Sequence, residues 1–243
     1  MNNVVNKIFF VLICLLILSS CGGGDGGSTG DNDDNSVGDT VTHNGVTYVT
    51  IASPNTGRVW LDRNLGALRV CTDYNDEQCY GEYYQWGRNA DGHEKSTSSV
   101  SDVLATSVTN VDHGDFIRSG VSPYDWADNI DNDGSQRQTN WSKTDGSSIC
   151  PVGFRVPTET ELEAEGIQNI GHAFSQLKLP AAGERGFNHG LIINQGSTGR
   201  VWSSLPSQSG GIPFAGVLNI YSDLAGTEDV VPSYGFSVRC IKD

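Results

Sequence analysis

Cys150-Pro-Val-Gly-Phe-Arg-Val-Pro-Thr-Glu-Thr-Glu-Leu162 sets a cysteine, a turn, a short apolar strand and a helix start in one uninterrupted run. Pro157 precedes Thr158, and Glu161 follows three residues later. That is a capping box, in which the Thr hydroxyl and the Glu carboxylate each satisfy an amide that the helix start leaves open. Leu162 is spaced to pack back over Pro157, and Gly166 offers a stop. Ile167, Ile170, Phe174 and Leu177 then recur at three, four and three residues, which predicts a second short amphipathic helix. The stretch reads as the joint between a helical layer and a sheet.

Downstream, five segments alternate in strand fashion: Leu177–Ala182, Gly190–Asn194, Arg200–Ser203, Ala215–Tyr221 and Tyr234–Ile241. Glycine-rich turns separate them, as an antiparallel meander requires. Thr-Gly-Arg-Val-Trp occurs at 56–60 and again at 198–202, but the flanks differ, so each reads as a strand start carrying a buried Trp.

Upstream, Val41–Ile51 is rich in Val, Thr, Tyr and Ile and predicts a strand. A turn at Ser53–Gly57 returns it through Arg58–Asp62 as a hairpin. Gly81-Glu-Tyr-Tyr-Gln-Trp-Gly87 packs three aromatics between two glycines; such rings can stack on sugars, and Trp86 reads as core. Residues 89–140 have the weakest periodicity. Val100, Val103, Leu104, Val108 and Val111 allow one short helix, and Phe116-Ile117, Tyr124 and Trp126 read as isolated anchors of a long excursion. Inside it, Asp128-Asn-Ile-Asp-Asn-Asp-Gly134 resembles part of a calcium loop, with Asp128, Asp131 and Asp133 as candidate ligands. Asn140 stands where a bidentate Glu would close an EF-hand, so a solvated acidic turn is the competing reading.

The chain has 243 residues, 37% of them hydrophobic, with 30 glycines and a formal charge of −14. So many turn residues argue for a strand- and loop-rich domain rather than a bundle, and the acidity excludes nucleic acid as a partner. Lys7, the apolar run Ile8–Leu18 and Ser19-Ser20-Cys21 form a leader too short to cross a membrane. The Leu-Ser-Ser-Cys ending resembles a bacterial lipobox, which implies a signal peptide over 1–20 and lipid on Cys21. Gly22 after that Cys resembles the class sorted to the outer membrane. Residues 21–40 carry almost nothing apolar and predict a flexible Gly/Asp-rich tether to a domain over 41–243. With Cys14 removed and Cys21 lipidated, four cysteines allow three pairings. Proximity pairs Cys71 with Cys79, which leaves Cys150 with Cys240.

Six ordered motifs carry a resemblance: Trp60–Gly66, Gly81–Gly87, Cys150–Thr158, Leu177–Gly183, Val201–Ser204 and Gly235–Cys240. Together they resemble the Fibrobacter succinogenes major paralogous (FISUMP) domain over Val41–Asp243. The Arg-Val-Pro-Thr-x-x-Glu-Leu segment and the Phe-Ser-Val-Arg-Cys ending are also similar to formylglycine-generating-enzyme-type domains of the C-type-lectin-like fold. The resemblance implies an α+β domain with a twisted antiparallel sheet, one or two short helices and long loops, exported, with paired cysteines and no established catalysis.

The expected function is a non-catalytic binding or adhesion module on the bacterial outer membrane, with a glycan or protein as ligand and no required cofactor beyond possible calcium. A structural envelope lipoprotein is the alternative. A formylglycine-generating relative would need a reactive cysteine pair near the late strands, where only Cys240 stands. The five His are scattered without metal-type spacing, and Glu159, Glu161, Glu163 and Glu165 are explained by a helix N-terminus. Binding is expected in the loops between Ala90 and Asn140 and between Ser204 and Phe214.

Overall fold

The turn chemistry of Asn44-Gly45 sets the entry into the fold. The computed structural model describes residues 37–209 and 212–243, so the leader, Cys21 and most of the tether lie outside the described residues. Asn44 and Gly45 both take positive φ, 48° and 79°, the geometry of a primed two-residue hairpin turn. They divide the single strand expected over Val41–Ile51 into β1 (Thr40–His43) and β2 (Val46–Ala52). β3 (Val59–Leu61) returns after the 53–57 turn, as the sequence predicts.

β4 (Tyr84–Gln85) precedes the long excursion, in which β5 (Val100–Ser101) and β6 (Phe116–Ile117) form a short parallel pair. The helix expected over 100–111 is not there. Val100 lies in β5, Val103 is exposed, and Leu104, Val108 and Val111 join a satellite core with Ala105, Ile117, Trp126 and Ala127. A helix the periodicity does not announce, α1 (Ser135–Trp141), closes the excursion. β7 (Phe154–Arg155), α2 (Glu159–Ala164) and α3 (Ile170–Leu177) follow. The strand expected over Leu177–Ala182 is not there: Leu177 ends α3, Lys178 turns to φ 53°, and 178–182 runs on without regular structure.

β8 (Glu184–Arg185) and β9 (Ile192–Ile193) pair next. β10 (Gly199–Ser209), β11 (Ile212–Ile220) and β12 (Ala225–Val230) form the antiparallel meander. Ser204–Ser209 and Ile212–Phe214 therefore lie in the paired strands β10 and β11 rather than in the loop expected there, and Pro206 is accommodated where the register shifts after Trp202. β12 escapes the sequence pattern because Ala-Gly-Thr-Glu-Asp-Val is a polar edge strand. The late strand expected over Tyr234–Ile241 divides into β13 (Gly235–Phe236) and β14 (Ile241–Lys242), which join different sheets.

Sheet order is β1-β2-β3-β14-β7 in one antiparallel sheet and β4-β13-β8-β9 in another, beside the meander. Mostly antiparallel sheet with three short helices makes the domain α+β. The Cys150–Leu162 stretch joins β7 to α2. Thr158 accepts from the Glu161 amide and Glu161 from the Thr158 amide, completing the box. Arg155 holds Glu161 through two bonds of 2.8 Å, and Cys150 is bonded to Cys240. Burial opposes the charge of Glu161, but Arg155 and the Thr158 amide outweigh it and lower its pKa to about 2. Glu165 serves the other end of α2 instead of its N-terminus: it is buried and accepts from Ser53, Thr56 and the Trp60 indole.

Loops leave backbone carbonyls unpaired, and a buried carbonyl needs a donor. Here buried arginines and indoles supply them. All five Trp are buried, and four donate to carbonyls: Trp86 to Ser203, Trp126 to Trp86, Trp141 to Arg88 and Trp202 to Tyr84. Arg88 reaches the carbonyls of His113 and Asp115, and Arg185 those of Gly190, His93, Lys95 and Ser98. Arg239 reaches Leu61, Leu177 and Lys178. Long irregular segments are thereby pinned to the core by fixed five-donor guanidinium groups.

Candidate functional site

A cavity of about 530 Å³ opens where the β1–β2 hairpin, the turn at Leu65-Gly66 and residues 90–95 meet. Tyr48 and Tyr84 form part of its wall with their rings almost wholly buried. Burial raises the pKa of both phenols. Glu82, Asp91 and Glu94 supply carboxylates, and Lys95 lies among them, 3.2 Å from Glu82 and 3.8 Å from Glu94. The Glu82 bond raises the Lys95 pKa. Tyr84 donates to the second Glu82 oxygen at 3.1 Å.

Asp91, His93 and Glu94 are the one group of three potential metal ligands that converges among the described residues. The chemistry of His93 does not fit a cation there. Its Nε2 accepts from the Gln85 amide at 3.1 Å, so Nδ1 carries the proton and donates to Asp91 at 2.7 Å. A nitrogen bearing a proton cannot ligate, and moving that proton to Nε2 would set two donors against each other. Burial lowers the His93 pKa to about 4, with the Asp91 bond opposing. Burial also opposes ionisation of Asp91, but His93 and Arg88 outweigh it and hold the carboxyl below its usual value. Burial raises Glu94, with the Gly92 amide opposing. A raised carboxyl in a cavity is one mark of a general acid. Here the companion carboxylates are spent: Glu82 on Tyr84 and Lys95, and Asp91 on His93 and Arg88.

The four cysteines expected in disulfides are paired as proximity suggests, Cys71 with Cys79 and Cys150 with Cys240. The three candidate calcium ligands are not brought to one centre. Asp131 is buried and accepts from the Gln136 amide, the Arg137 amide and Arg137 Nε at 3.0–3.1 Å. Asp133 accepts from the Ser135 amide and hydroxyl, and exposed Asp128 accepts from Asn129. The Asp-x-Asp-Gly pattern is instead the lead-in to α1, whose Arg137 lies buried between Asp125 and Asp131.

A second cavity of about 530 Å³ lies in the excursion itself, between Asp102, Leu104, residues 118–123, Asn129 and Asn188. No match to this chain was found among known protein families, curated proteins or solved structures. The site therefore stands on its own geometry. It keeps polar groups without protein partners: no protein hydrogen bond engages the Ser122 hydroxyl or the Asn188 amide, and both residues are exposed.

Sequence reasoning placed binding in the 90–140 excursion, where this cavity largely falls, but missed Asn188, which arrives from the β8–β9 turn. It also missed the Asp91–Lys95 cluster. The dense run Asp-Gly-His-Glu-Lys was the available signal.

Proposed function

We propose that the chain is an exported lipoprotein held at the bacterial outer membrane by lipid on Cys21, whose 41–243 domain is a non-catalytic binding or adhesion module. On this reading the domain is of the FISUMP kind, with a C-type-lectin-like fold. The observation that carries the proposal is how the polar side chains are used. Reactive types are committed to the frame: four cysteines to two disulfides, His93 to Gln85 and Asp91, and Arg137 to two carboxylates. Partnerless polar groups remain on the loops, where a rigid scaffold ordinarily presents its binding residues. A formylglycine-generating activity would need thiols that Cys150 and Cys240 do not offer while bonded.

Two measurements test the proposal. Intact mass and detergent partitioning of wild type and Cys21→Ser test the anchor, and a variant that still partitions into detergent refutes it. The full chain on an array of saccharides and peptides, with and without calcium, tests the module. Retention of one ligand class supports it, and conversion of a retained ligand into product refutes its non-catalytic character.

A further inference from the structure

We infer that the cavity between Asp102, Arg118, Val121 and Asn188 binds a neutral saccharide without a metal ion; this rests on the binding-module reading and names its ligand class. A sugar ring presents hydroxyls that both donate and accept, together with apolar C–H faces. Its binding site needs planar polar groups of both kinds beside apolar or aromatic surface. This cavity has that composition. Arg118 and Asp102 form a forked pair, with Nη2 to Oδ2 at 2.8 Å, which leaves the Arg118 Nη1 donors without a protein acceptor. Asn188 adds a free amide and Ser122 a free hydroxyl, and Leu104, Val121 and Pro123 supply the apolar surface.

Charge selects among ligands. Asp102 and Arg118 are the charged residues in this lining and balance each other, so the cavity itself is neutral. The chain as a whole carries −14, which disfavours polyanions. A cationic ligand would favour the cavity lined by Glu82, Asp91 and Glu94.

The second observation is Tyr124. Its φ is 60°, a conformation that costs a bulky residue energy and that persists where the surroundings impose it. The Tyr124 amide donates to the Val121 carbonyl at 2.8 Å, and its ring meets Phe187 edge-on at 5.5 Å. Tyr124 follows Pro123 and Phe187 precedes Asn188, two residues that line the cavity, and Tyr124 stays 37% exposed. The strained backbone fixes a partly exposed aromatic ring one residue beyond the lining at Pro123, and the inference assigns it as the surface on which a sugar face stacks.

The test is titration of the full chain, in EGTA, with maltohexaose, cellohexaose and mannohexaose, and with hexagalacturonate and hexalysine as charged controls. The inference expects binding of at least one neutral hexaose. It expects loss of about tenfold or more in affinity in Tyr124→Gly, which removes the ring while keeping positive φ accessible, and in the exposed-site variant Asn188→Ala. Circular dichroism of both variants checks that they fold. Absence of binding to every neutral hexaose, binding that requires calcium, or equal affinity in both variants overturns it. Binding of hexalysine alone, lost in Glu82→Gln, overturns the saccharide and leaves the binding-module reading standing. Cleavage of a bound hexaose overturns that reading as well.

Discussion

Lowering the pH from 6.5 to 4 is expected to remove about 3 kcal/mol of stability through His93 alone. The imidazole is fully buried between the Gln85 amide and Asp91, with its pKa lowered from 6.5 to about 4. Between those two values the unfolded chain binds a proton on this histidine and the folded chain does not. The contribution is therefore whole above pH 6.5, declines as pH falls and is gone below about 4. Each pH unit in that interval is worth ~1.4 kcal/mol, which gives the ~3 kcal/mol. Asp91, with its pKa lowered, acts in the same direction over a more acidic range, and Glu94, with its pKa raised, acts in the opposite direction. The comparison that isolates His93 is His93→Gln, whose side chain can both accept and donate but does not titrate here. Urea unfolding followed by the fluorescence of the five buried Trp, at pH 7, 5.5 and 4, measures both proteins. Wild type should lose stability more steeply than the variant across this range. Parallel curves for the two proteins would refute the buried, neutral His93.

Replacing Cys150 and Cys240 together with Ser should destabilise by up to about 4.5 kcal/mol, against about 2.5 for Cys71 and Cys79, because the closed loops span 90 and 8 residues; denaturant midpoints of the two double variants give the order. Thr158→Ala removes the hydroxyl half of the capping box and should cost about 1 kcal/mol by the same measurement. Asp131→Asn leaves Arg137 buried with Asp125 as its one full counter-charge and should cost about 3 kcal/mol. That loss should be equal with and without millimolar calcium, and a melting temperature raised by calcium in wild type alone would contradict the placement of Asp131.

The frame was legible where local chemistry is strict. The capping box at Thr158 and Glu161, the β2–β3 hairpin and the Cys71–Cys79 disulfide follow from short-range rules, Cys150–Cys240 follows as the pair left over, and the structure contains each of them. Legibility failed where tertiary contacts decide. α1 is seven residues long and is held by Arg137 reaching back to Asp125 and Asp131, a contact no hydrophobic period announces. Leu104, Val108 and Val111 pack in the cluster of Trp126 and Ile117 without forming a helix, while Val100 and Val103 stay exposed, although the spacing of all five also suited a helix. The Asn44-Gly45 turn was readable, being the strongest short hairpin signal in the chain, and was obscured by β-favouring residues on both sides. The candidate site was legible only as a region: a long excursion named the loops, but the folded chain supplies Asn188 and Phe187 from the β8–β9 turn, about sixty residues later.

The most direct measurement is hydrogen exchange of the full chain with and without the hexaose that binds best. Slowed exchange confined to the segments around Asp102 and Leu104, 118–123, Asn129 and Asn188 is the predicted result, because these residues line the loop cavity. Slowing that falls instead on 43–48 and 90–95, or none at saturating sugar, would contradict the account.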